Sequence, residues 1–129
     1  LKVILSHGDF LCTDDLDYIN FRSLVRSKNW QKDFLSKDLN ERKLIASTMR
    51  NDSRQATSQK SLEITDVNLK SVDSFLEEHN PNIFIHGHTH RPKIHHHDAI
   101  KRVVLGDWGS SGWYLSIIDN DLDLKEFKI

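Results

Sequence analysis

The chain has 129 residues, with 18 Lys and Arg against 19 Asp and Glu and a hydrophobic fraction of 37%. That length suits one domain, and the balanced charge excludes a strongly basic nucleic-acid binder as the default. No apolar run approaches the roughly 20 residues that a membrane-crossing helix needs. The lone Cys12 cannot form an internal disulfide, which fits a reducing compartment.

The chain opens with Leu1-Lys2-Val3, already inside a strand-like run, and this predicts a piece of a longer protein. Lys2 to Leu5 reads as a short buried strand. A loop from His7 to Asp15 follows, and its Thr13-Asp14-Asp15 offers capping oxygens. Asp17 to Ser27 places Phe21, Leu24 and Val25 at helical spacing. Trp30 to Leu35 reads as a further short helix, Asp38 to Ala56 as a long one capped by Asp38, and Lys60 to His79 as the last, stopped by Pro81. The pattern then changes to strands: Asn82 to His86, Arg102 to Gly106, Tyr114 to Ile118 and Leu122 to Phe127. Asp119-Asn120-Asp121 is a hairpin turn between the last two. His95-His96-His97 is expected to be an exposed turn. The fold class is mixed α/β, with a helical insertion between the first two sheet strands.

Charge is unevenly spread. Between Phe21 and Lys60 the excess of basic residues is about six. Interleaved apolar residues such as Trp30, Phe34 and Leu35 make this a basic amphipathic segment, suited to phosphates or an anionic membrane surface. A solvated helical face over an ordinary core explains the same pattern equally well.

The most informative stretch is Ile85-His86-Gly87-His88-Thr89-His90-Arg91-Pro92. An apolar strand ends there in a glycine turn that carries two histidines. Imidazole is the commonest side-chain metal ligand, and two ligands leaving one turn favour metal binding. Val3-Ile4-Leu5-Ser6-His7-Gly8-Asp9 has the same form, so His7 joins His88 and His90 as a candidate ligand. His86, inside the strand, reads as a buried hydrogen-bonded residue. Nitrogen ligands suit zinc, iron and manganese alike. Asp9 and Asp107 stand near strand ends, where each serves equally well as a loop cap. Ser53, Thr57 and Lys60, at i, i+4 and i+7, would share one helix face suited to phosphate or sugar oxygens.

The combination Ser6-His7-Gly8-Asp9, Leu11-Cys12-Thr13-Asp14-Asp15, Met49 to Ser53, Lys60 to Asn68, Ile85 to Pro92 and Val103 to Trp108 resembles the UDP-2,3-diacylglucosamine diphosphatases. These are lipid A pathway hydrolases of the calcineurin-like metallophosphoesterases. The Gly-His-Thr-His and strand-His-Gly-Asp elements indicate the superfamily; Leu11 to Asp15 and Lys60 to Asn68 narrow it. The resemblance implies part of a metallophosphoesterase β-sandwich flanked by helices. Residues 1–129 would be the C-terminal part of one such domain, with the insertion at about 14–80.

The resemblance also implies hydrolysis of UDP-2,3-diacylglucosamine to UMP and 2,3-diacylglucosamine 1-phosphate over two Mn2+ ions. His7, His88 and His90 match metal ligands. Asp15, Ser53, Thr57, Lys60 and His88 match substrate contacts, with Thr57 replacing the usual asparagine. It further implies a peripheral protein on the cytoplasmic face of the inner membrane that binds an anionic membrane surface and no nucleic acid. The family's Asp-x-His, Gly-Asp and Gly-Asn-Arg or Gly-Asn-His motifs are absent ahead of His7, so the likeness is to the C-terminal half, and little or no catalysis is expected of these residues alone. Two other readings fit the residues: a metallophosphoesterase for dinucleotides or phosphodiesters, and a non-catalytic metal- or membrane-binding module.

Overall fold

A computed structural model describes all of residues 1–129 and divides them into two compact units, Leu1–Cys12 with Val67–Ile129, and Thr13–Asp66. The first unit is built on a four-stranded sheet. Strands β1 (Val3–Ser6), β2 (Ile83–His86) and β4 (Ile100–Val104) run parallel, and β3 (Lys93–His97) pairs antiparallel with β4, giving the order β1-β2-β4-β3. Every residue of β2 is buried, as expected of a parallel strand covered on both faces.

Side-chain alternation along the strands sets the two faces. Phe84 packs with Leu11 and with Val72 and Leu76 of helix α4 (Leu69–His79). Ile83, Ile85 and Val103 face the other way, against Leu115, Leu122 and Leu124 of the hairpin formed by β5 (Ser111–Ile118) and β6 (Asp121–Lys128). The layers are therefore helix, sheet and hairpin. Full burial of a Val, Leu or Phe side chain stabilises by about 1.5–3 kcal/mol each, so β2 anchors both layers. The hairpin turn falls where the sequence places it: Asp119 and Asn120 have φ of 49° and 68°, the pair of positive values that a two-residue type I′ turn requires.

The second unit holds three helices, α1 (Leu16–Val25), α2 (Lys28–Ser36) and α3 (Leu39–Ser58). Each start has a side-chain cap: Asp15 accepts from Tyr18 N–H, Ser27 from Trp30 N–H, and Asp38 from Glu41 N–H. Asp38 and Glu41 form a reciprocal capping box. None of the three helices has a fully buried residue, and Leu24, Leu35, Leu39 and Leu44 are more than half exposed. No helix of the chain is long and apolar enough to cross a membrane.

Three local expectations are corrected. The helix expected from Lys60 starts only at Leu69, because Asn68 caps it through Ser71 N–H. Ahead of it, the hydroxyls of Ser61 and Thr65 bond nearby backbone and hold turns instead, a competition that short polar side chains often win. His95-His96-His97 is the end of strand β3, paired with Arg102, Lys101 and Ile100, and not a turn. The helical segment expected at about 14–80 is split: α4 packs on the sheet, and the helical unit ends at Asp66.

Candidate functional site

Register builds the first site. Ser6 pairs with His86, so the parallel strands β1 and β2 end side by side, and the ladder continues one step further as Gly87 N–H donates to the His7 carbonyl at 3.2 Å. The carboxyl ends of parallel strands are where α/β sheets collect ligand-binding groups. The imidazoles of His7 and His88 meet there edge to face, with ring centroids 4.9 Å apart. His7 Nδ1 also lies 3.3 Å from the carboxylate of the buried Asp9.

Backbone strain marks the same turn. His88 and His90 have φ of 66° and 53°, a region that few non-glycine residues enter and that clusters at functional sites. Thr89 N–H donates to the Gly87 carbonyl at 2.8 Å, an i to i+2 bond around His88. That is the pattern of a γ-turn, whose positive-φ form is rare and strained. Gly8 has φ of 90°, and a Cβ there would fall 2.6 Å from His86 Nδ1. Glycine is required at that position by both conformation and space.

The fit to a metal is partial. His7 and His88 converge, but no group of three or more His, Cys, Asp or Glu side chains is gathered to hold an ion. His90 is exposed and does not complete such a set. The Thr89 hydroxyl is buried without a hydrogen-bond partner. An unmet buried hydroxyl costs about 1–3 kcal/mol, which adds to the strain already held in the turn.

A second site lies within the helical unit, in a cavity of about 340 Å³. Asp15, Ser53, Thr57 and Lys60 all line it, over an apolar floor that includes Phe21 and Met49. Four of the residues picked out in the sequence are thus brought together. Their common face is not a single helix face, since α3 ends at Ser58 and Lys60 follows in the turn, its N–H bonded to the Thr57 carbonyl. The Lys60 ammonium reaches the Asp15 carboxylate at 2.6 Å, with both side chains largely buried. Asp17 and Asp52 add two more carboxylates to the lining. The lining thus combines three carboxylates, the Ser53 and Thr57 hydroxyls and one ammonium, groups that suit sugar hydroxyls, with Lys60 as the one cation for a phosphate.

No protein-family model matches the chain. Among curated proteins it is 44% identical over 130 residues to one from Klebsiella pneumoniae named UDP-2,3-diacylglucosamine hydrolase, covering 98% of this chain and 54% of that protein. The chain is a relative of the UDP-2,3-diacylglucosamine hydrolases. A protein of that name from Escherichia fergusonii matches equally, at 44% over 98% of this chain and 54% of its own length. One from Tolumonas auensis is 43% identical over 95% of this chain and 52% of its own length. The chain therefore spans about half the length of the curated relatives it matches. Among solved structures, vacuolar protein sorting 29 from Cryptosporidium parvum overlaps 48% of this chain and 45% of its own, with a TM-score of 0.29 and 13% identity, too little to bear on the fold.

Sequence reasoning missed Arg102. It is 3% exposed and lies beneath the histidine turns, where Nη1 donates to His86 Nε2 at 3.0 Å. The signal was present in Arg102-Val103-Val104, where a charged residue begins an otherwise apolar strand end. His86 is the buried, hydrogen-bonded residue that the sequence suggested.

Proposed function

We propose that this chain contributes to a hydrolase that splits the pyrophosphate of UDP-2,3-diacylglucosamine into UMP and 2,3-diacylglucosamine 1-phosphate. The relatives' shared name supports the substrate, and the pairing of His7 with His88 at adjacent strand ends is the single observation that carries the chemistry. In this reading the layered sheet unit is part of a metallophosphoesterase sandwich. His7, His88 and His90 hold manganese together with ligands from outside residues 1–129. Manganese, when bound, supplies Lewis-acid stabilisation of charge in phosphoryl transfer.

The chain's own residues have separate tasks. The strained backbone at His88 sets the direction of its Cα–Cβ bond before any ligand arrives, which lowers the cost of ordering the side chain later. In the helical unit, the Ser53 and Thr57 hydroxyls exchange hydrogen bonds with sugar hydroxyls, and Asp15 accepts one. Lys60 is held by Asp15 until phosphate competes for its ammonium.

The exposed Leu24, Leu35, Leu39 and Leu44, set among basic residues, fit acyl chains and an anionic membrane surface. In this reading the protein sits peripherally on the cytoplasmic face of the inner membrane. The test is UMP release from UDP-2,3-diacylglucosamine against a dinucleotide and a simple phosphodiester, with Mn2+, by residues 1–129 joined to the part of the Klebsiella relative that they do not align with. Preference for the lipid nucleotide supports the reading. Preference for either alternative overturns it.

A further inference from the structure

A line of polar contacts runs through the sheet unit beneath the histidine turns. Asp73 of α4 lies 3.6 Å from His97 Nδ1, and Arg102 Nε donates to His97 Nε2 at 3.3 Å. Arg102 Nη1 then meets His86 Nε2 at 3.0 Å, and His86 Nδ1 lies 3.0 Å from the Gly87 carbonyl. Arg102 and His86 are both almost wholly buried, at 3% and 1% exposure.

The chemistry of these groups fixes where the protons are. A guanidinium only donates and remains charged, so His86 Nε2 must accept. A neutral imidazole then carries its one proton on Nδ1, aimed at the Gly87 carbonyl. The opposite tautomer would set two N–H groups against each other and a lone pair against a carbonyl. The same argument directs the Nδ1 proton of His97 toward Asp73.

We propose that Arg102 is a positioning residue for the two histidine-bearing turns. It locks His86 as the Nδ1–H tautomer, and that N–H holds the Gly87 carbonyl from which the His88 turn springs. The Gly87 carbonyl accepts from His86 and from Thr89, so it is the pivot of that turn. The His86 ring also abuts Gly8, where even a Cβ would not fit, so the same ring sets the level of the His7 turn. One locked imidazole thereby spaces His7 from His88. The inference goes beyond the proposed substrate and holds whatever the protein hydrolyses.

The test combines long-range nitrogen-proton NMR of the histidine rings with through-space NOE spectra of uniformly labelled protein at neutral pH, in the wild type and in Arg102→Met. The wild type is expected to show His86 with its proton on Nδ1 alone and a cross-peak between the His7 and His88 rings. In Arg102→Met, His86 should become a mixture of tautomers and the inter-ring cross-peak should be lost, while cross-peaks within the β5–β6 hairpin persist. A wild-type His86 that carries its proton on Nε2, or on both nitrogens, overturns the proposal, and this result needs no variant to fold. A folded Arg102→Met protein that keeps one His86 tautomer and the inter-ring cross-peak overturns it equally.

Discussion

The rings of His7 and His88 meet with their planes 71° apart, although 80 positions of sequence separate the residues. Parallel pairing of β1 with β2 makes this contact, since Ser6 and His86 share a register position and each strand is followed at once by a glycine turn. Strand pairing alone thus brings two imidazoles from distant parts of the chain into contact.

Manganese should therefore depend on these two rings. His7→Ala and His88→Ala are each expected to weaken Mn2+ binding by at least about tenfold, whereas His96→Ala on exposed β3 should change it less than about twofold. Isothermal titration with Mn2+ measures this. Binding that follows His96 instead would assign the metal to the histidine tract.

Gly8 should tolerate no side chain. Gly8→Ala forces alanine to φ of 90° and drives its Cβ into His86. Strain of this kind costs about 1–3 kcal/mol before any clash is counted. Urea unfolding should show a loss of about 2 kcal/mol or more, and an unchanged midpoint would contradict the packing described.

The Asp15–Lys60 pair has two separable roles. Asp15→Asn keeps an oxygen to cap α1 but removes the charge facing Lys60; Asp15→Ala removes both. Loss of an N-cap costs about 1 kcal/mol, so the alanine variant should be the less stable by about that amount in thermal or urea unfolding. Lys60→Met should recover part of the loss in the Asp15→Asn background, because it removes a largely buried ammonium left without its carboxylate. Equal stability of the two Asp15 variants would show that the cap contributes nothing.

Exposed leucines in the helical unit should mediate lipid binding. Replacing Leu35, Leu39 and Leu44 together by serine is expected to lower co-sedimentation with anionic vesicles by at least about tenfold, since burial of one leucine alone is worth about 1.5–3 kcal/mol. Unchanged co-sedimentation would leave the basic residues as the whole attraction.

The legible parts of the chain were those in which one local signal had one meaning. Asp38 announced the cap of the long helix, and Asp119-Asn120-Asp121 announced a hairpin turn. The buried strand Ile83 to His86 announced itself by its apolar run. The start of helix α4 was not legible, because Asn68 and the hydroxyls of Ser61 and Thr65 decide it by local hydrogen bonding rather than by apolar period. The histidine tract was misplaced because β3 lies at a sheet edge, where polar side chains are as acceptable as in a turn. At the site, the clustering of Asp15, Ser53, Thr57 and Lys60 was legible from spacing and resemblance. A charge at the head of Arg102-Val103-Val104 hinted at burial, but the role of Arg102 was not legible, because it comes from contacts across strands, which sequence order does not display.

The most direct measurement is UMP release from UDP-2,3-diacylglucosamine with Mn2+ by residues 1–129 joined to the part of the Klebsiella relative that they do not align with. The account predicts that the folded chimera releases UMP, that His88→Ala abolishes the release, and that residues 1–129 alone release almost none. A folded chimera without activity, or one whose activity survives His88→Ala, would contradict it.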